Sequence, residues 1–124
     1  MHVLRNMMKA VKAGGLVLDL QVIRPNPVVE ADGVVVCEID GEPLFVRADA
    51  ATAAVDSSIA DGHLIEEAVD DHDVREHYPD GADLIDEFAD KKRRLPLEAL
   101  PRLRTLTLPC VRERCRLRRL RVAQ

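Results

Sequence analysis

Residues 16–23, Leu-Val-Leu-Asp-Leu-Gln-Val-Ile, scarcely alternate between apolar and polar positions. A strand with one face in water alternates with a period of two, whereas a strand covered on both faces does not. The run therefore predicts a strand with neighbours on each side and helices above and below. What precedes it agrees. Val3, Leu4, Met7, Met8 and Val11 fall at helical spacing, with Arg5, Lys9 and Lys12 on the other side. Gly14-Gly15 stops that helix, one glycine taking the left-handed cap. Helix, double glycine and buried strand make one step of a parallel α/β sheet. Arg24-Pro25-Asn26-Pro27 then ends the strand, because proline cannot donate to a ladder.

Residues 34–39 and 44–47 are two further β runs, with Asp40-Gly41 between them and Asp32-Gly33 just before. Asp-Gly flanked by apolar runs is a strong hairpin signal, so an inserted β-hairpin is expected over residues 28–47. Asp49 can cap a helix over 50–60 that faces Ala54, Val55 and Ile59 inward and ends at Gly62. A strand is expected at 63–69, then a polar, irregular stretch over 70–78. Asp80 can cap another helix, with Leu84, Ile85 and Phe88 as its apolar stripe, ending in Lys91-Lys92-Arg93-Arg94. Pro96 and Pro101 keep any helix over 95–108 short or broken. The last strand runs from 110 to 122. Val111, Cys115 and Leu117 share one face with Glu113, and Arg112, Arg114, Arg116 and Arg118 share the other. The phase slips at Arg118-Arg119, so Leu120 and Val122 need a bulge or a frayed end.

A chain of 124 residues fits a single domain over 1–124, and with Phe45, Tyr78 and Phe88 as its aromatics the core must be aliphatic. No apolar run approaches the roughly 20 residues that span a bilayer. The first residues lack the apolar stretch of a signal peptide, so a cytoplasmic protein without a membrane partner is expected. Cys37, Cys110 and Cys115 then read as reduced core or strand residues. Charge is unevenly spread: residues 1–90 hold six basic and twenty acidic side chains, residues 91–124 twelve and two. An arginine-rich end can meet nucleic-acid phosphates. It can also pair within the fold, here with Glu66, Glu67, Asp70 and Asp71. No aromatic residue is interleaved for base stacking, so internal pairing is favoured and nucleic acid is not expected as a partner.

Asp70 to Tyr78 is the densest polar cluster. Its histidines and carboxylates could ligate a metal or supply a base, since His titrates near neutrality. The spacing of His72 and His77 puts them on different helical faces and matches no zinc or calcium order, so no metal is expected. The bland alternative is a solvated connector.

The stretch Val11-Lys12-Ala13-Gly14-Gly15-Leu16-Val17-Leu18-Asp19-Leu20 resembles the helix, glycine turn and fifth strand of class I S-adenosylmethionine-dependent methyltransferases. That family usually has Lys-Pro-Gly-Gly at the turn, where this chain has Ala13 for the proline. The order that follows is similar over residues 3–122: an insertion, a helix, a sixth strand, helical material and a final strand, which in the family inserts antiparallel between the fifth and sixth. The resemblance implies an α/β fold with a partial Rossmann-like mixed sheet, flanking helices and the inserted hairpin. It implies the substrate-side half of the domain, truncated or split, and an enzyme only if an N-terminal half completes it. His72, Glu76, His77 and Tyr78 are the candidates to meet a small-molecule methyl acceptor. The family's glycine-rich cofactor loop precedes this segment, and the glycines at 14, 15, 33, 41, 62 and 81 never form Gly-x-Gly-x-x-Gly. No cofactor ligand carries over, and the segment alone is not expected to bind S-adenosylmethionine. The alternative is a non-enzymatic interaction module that completes its sheet with a partner or as a homodimer.

Overall fold

A computed structural model describes residues 12–124, and the helix expected over the opening residues lies outside them. The described chain is mixed α/β, with a five-stranded antiparallel sheet and three helices. In order these are β1 (Leu16–Val22), β2 (Val28–Ala31), β3 (Val34–Glu38), α1 (Glu42–Ala60), β4 (Leu64–His77), α2 (Gly81–Asp90), a 3-10 turn (Leu97–Ala99), α3 (Leu100–Leu103) and β5 (Cys110–Val122). The chain forms two compact units. The first contains residues up to Ile23, Leu44–His72 and Cys115–Gln124; the second contains Arg24–Pro43 and Asp73–Arg114. Among the described residues no helix is long and apolar enough to cross a membrane.

In the first unit β1 lies antiparallel to β5, from Leu16 opposite Arg121 to Val22 opposite Cys115. Gly14, at φ +80°, turns the chain into β1, and its N–H donates to the Val122 carbonyl at 2.8 Å. Val17, Leu64 and Leu120 form the core with Val55 of α1. The two-sided burial expected for residues 16–23 is not found. Leu16, Leu18 and Leu20 are 45%, 62% and 55% exposed, and among the described residues β1 ends the strand order, paired to β5 alone. Only the face bearing Val17 meets α1, so the leucines of the other face have no cover among the described residues. Nor is the step parallel: β5, the neighbour of β1, is antiparallel.

Helix α1 begins well before the expected residue 50. Residues 44–47, expected as a strand, are its first turns. The Glu42 amide donates to Asp40 Oδ1 at 3.0 Å, and Pro43 sits in the first turn, where its missing N–H costs nothing. Phe45, Ala48 and Val55 are its buried positions. Strand β4 outruns expectation in the other direction. Residues 70–77, expected to be irregular, continue the strand, with Asp71 and Asp73 paired to arginines of β5.

In the second unit β2 and β3 form the hairpin, with Asp32 (φ 52°) and Gly33 (φ 74°) as a two-residue turn. Positive φ at both positions gives the turn whose twist suits flanking strands. Of the two Asp-Gly pairs, Asp32-Gly33 closes the hairpin and Asp40-Gly41 leads into α1, so the hairpin occupies 28–38 of the expected 28–47. β2 also pairs β5, with Val29 opposite Val111. Asp80 caps α2 as expected, its Oδ1 accepting from the Asp83 amide at 2.9 Å. Leu84 and Phe88 join Val29, Ile39, Tyr78, Leu103 and Val111 in the core. The expected bulge in β5 is absent from its pairing with β1, whose register runs unshifted. The phase slip has another cause: Val111 serves the second unit's core and Leu120 the first's.

Candidate functional site

Strand β5 presents arginine at nearly every second position, and each finds a carboxylate. In the second unit Arg112 Nε donates to Glu30 Oε1 at 2.5 Å and Arg114 Nη1 to Asp73 Oδ1 at 3.2 Å. In the first unit Arg116 grips Asp71 with two nitrogens at 2.8 and 2.9 Å. Arg121 does the same to Glu67 at 2.7 and 3.1 Å, and Arg119 lies 3.2 Å from Glu67. Of the expected carboxylates, Glu66, Glu67 and Asp71 pair with arginine; Asp70 instead lies 3.0 Å from His72 Nδ1.

Arg118 differs from the rest in being 7% exposed. Its Nε donates to Glu66 Oε2 at 2.8 Å and its Nη1 lies 2.8 Å from Asp56 Oδ1 of α1. Those hydrogen bonds to Glu66 and Asp56 favour the charged guanidinium, opposing the larger effect of burial, and hold its pKa above the ordinary arginine value. Asp19, its cross-strand neighbour, accepts from Gln21 instead, at 2.8 Å.

Glu67, solvent-accessible on β4, has its pKa lowered, first by the hydrogen bond from Arg121 and further by the charges of Arg121 and Arg119. A carboxylate with a depressed folded pKa contributes stability that is present above its unfolded value, about 4.3, and is lost as pH falls through the folded one. Urea midpoints measured between neutral pH and pH 3 are therefore expected to fall less steeply for Glu67→Gln than for the wild type. The difference should shrink in high salt, because the pair is open to solvent. Identical slopes would remove Glu67 from the acid response.

The four substrate-side candidates fall in different units. His72 lies in the first unit, half-buried, and its Nδ1 approaches Asp70 without forming a hydrogen bond. Glu76, His77 and Tyr78 lie in the second, and His77 is exposed at the end of β4. Only Glu76 and Tyr78 meet. The Tyr78 phenol is buried, and burial together with hydrogen bonds to Glu87 and Glu76 pushes its pKa far above the usual tyrosine range. It is a proton donor at neutral pH, not a base. Glu87 also lies 2.6 Å from Lys91 Nζ, and the hydrogen bonds from Lys91 and Tyr78 keep its carboxyl below the ordinary range. Sequence reasoning missed Glu87 and Lys91. Their i,i+4 spacing on a helix is a legible sign of pairing, but their meeting with Tyr78 depends on how α2 packs.

Among the described residues no group of three or more His, Cys, Asp or Glu side chains is placed to hold a metal. Cys37, Cys110 and Cys115 are free thiols, and burial raises the pKa of the first two. No family model, curated protein or solved structure matches the chain.

Proposed function

We propose that the chain is the substrate-side half of a class I methyltransferase-like, partial Rossmann-like domain, completed by a separate segment that brings the glycine-rich cofactor loop. The observation that carries this reading is the strand order in the first unit. β5, last in sequence, lies between β1 and β4, and β1 follows directly on the Gly14-Gly15 turn. Insertion of a final antiparallel strand between two earlier ones is the feature that the resembling family has at its fifth and sixth strands. The chain's own residues do not fit S-adenosylmethionine. Gly14 leads into β1, Gly33 turns the hairpin, Gly62 follows α1 and Gly81 begins α2. None opens the strand–loop–helix cradle that such a cofactor needs. What the chain would supply is an acceptor-side wall. There His77 is exposed at the end of β4, whereas burial and hydrogen bonds to Glu87 and Glu76 keep the Tyr78 phenol protonated.

The second reading, a binding module without chemistry, is favoured by the open row of Leu16, Leu18 and Leu20. An open apolar face suits either reading, so strand order separates them better than greasiness does. Calorimetry with S-adenosylmethionine distinguishes them. The chain alone is expected to show no saturable binding tighter than about 1 mM. Co-expressed with the product of an adjacent reading frame that ends in a glycine-rich strand–loop–helix, it is expected to form a complex that binds the cofactor at micromolar level. A stable homodimer that protects residues 16–20 from hydrogen exchange, with no cofactor binding in any combination, would replace the enzyme reading with the module.

A further inference from the structure

The second unit contains a cavity of about 780 Å³ between its hairpin and the 94–102 segment, within the size range of small-molecule sites. Its two walls differ in charge. The hairpin side brings Glu38 and Asp40, and the opposite side brings Arg94 and Arg102, with Glu98 beside them. The apolar part of the lining is Val36 from the hairpin and Leu95, Pro96 and Ala99 from the 94–102 segment. The Asn26 side chain accepts from the Gly41 amide at 3.1 Å and so ties down the loop that carries Asp40.

The arginines matter because they are not used up. Arg93, next in sequence, is bound to Glu113 at 3.1 Å, and those of β5 are each held by a carboxylate. Arg94 and Arg102 make no ion pair and no side-chain hydrogen bond among the described residues, although Glu98 stands four residues before Arg102. A plain anion would meet Glu38, Asp40 and Glu98 as well as the guanidiniums, and a plain cation would meet the reverse. A ligand with both charges and a short apolar body satisfies both walls and the apolar part of the lining. We propose that this cavity binds a zwitterionic small molecule of the amino-acid class, its carboxylate toward Arg94 and Arg102 and its ammonium toward Glu38 and Asp40. The inference does not depend on the methyltransferase reading.

L-Leucine is the probe, followed by amide ¹H–¹⁵N spectra of the full chain. Saturable shifts are expected at Val36, Cys37 and Ala99, with a dissociation constant on the order of 1 mM for so small a ligand. 4-Methylpentanoate, which lacks the amine, and 3-methylbutylamine, which lacks the carboxylate, are each expected to bind about tenfold more weakly, the loss of one charge-assisted contact. In the Arg94→Gln/Arg102→Gln double variant leucine should bind no better than the amine, and Glu38→Gln, which leaves Asp40 in place, should weaken leucine binding without bringing it down to that of the acid. All three substituted side chains are exposed, so the folded spectrum is expected to persist and serves as the control. Absence of saturable shifts up to about 10 mM leucine overturns the proposal. So does equal binding of 4-methylpentanoate, which would make the cavity a simple anion site.

Discussion

Gly81→Ala is expected to lower stability by about 3 kcal/mol or more, at the upper end of what overpacking costs. A Cβ built on Gly81 would stand 1.6 Å from the Leu103 carbonyl oxygen and 2.7 Å from its carbon. Both are backbone atoms, so no side chain can swing away to make room. The two segments are also bonded here, since the Gly81 amide donates to the Leu106 carbonyl at 3.0 Å. Separating them enough to admit a methyl group would strain that bond and lift Leu103, which is fully buried in the second unit's core. Helix propensity works in the opposite direction, since alanine favours a helix over glycine by about 1 kcal/mol, so the measured loss is what remains after that gain. Urea unfolding of the variant beside the wild type decides it. A midpoint change worth less than about 1 kcal/mol would mean that the close approach is not there.

That approach illustrates where the sequence stops being informative. A glycine one position after a capping aspartate reads as an ordinary helix start, and nothing near it in sequence announces the carbonyl that meets it from residue 103. Local features were legible: the Asp80 cap, the stripe of Leu84 and Phe88, the stop near Gly62, and β5 from 110 to 122. So was the electrostatic pairing of β5, because alternating arginines and a neighbouring acidic strand have one economical arrangement. Its consequence for β4 was not. Aspartate is a poor strand former, yet Asp71 and Asp73 stand in the strand paired with Arg116 and Arg114. At residues 40–47 two signals competed. Asp-Gly before Leu-Phe-Val has the local form of a hairpin arm, but Asp40 accepting from the Glu42 amide with Pro43 in the first turn starts a helix. The apolar character of residues 16–23 was legible and its outcome was not, since a pattern without alternation shows that both faces are apolar without showing what covers them. The two-walled cavity arises from segments far apart in sequence, beyond the reach of spacing rules, and the Tyr78, Glu76 and Glu87 group, though close in sequence, depends on how α2 packs.

Phe88→Ala is expected to cost about 3–5 kcal/mol, the usual range for deleting a buried aromatic ring. Phe88 is 1% exposed and packs in the second unit's core with Val29, Leu84, Leu103 and Val111. Two circumstances place it in the upper part of that range. Its neighbours are branched aliphatic side chains and a tyrosine whose hydroxyl is bound to Glu87 and Glu76, so few of them are free to move into the space. The ring also lies under the Arg93 guanidinium, 4.7 Å from its carbon to the ring centroid. That contact contributes about 0.5–1 kcal/mol at a partly open site. Arg93 is further held by Glu113, so removing the ring leaves the cation in place above an empty pocket. Phe88→Leu separates these effects. It retains most of the apolar volume and loses the ring face, and should cost about 1–2 kcal/mol. Against a total of about 5–15 kcal/mol for a chain of this kind, the alanine variant is left with a marginal fold. Equilibrium unfolding of both variants is the check. If alanine and leucine cost the same, cavity formation is not the cause and the ring's contact with Arg93 would have to account for the loss. If neither costs more than about 1 kcal/mol, the second unit's core does not centre on Phe88.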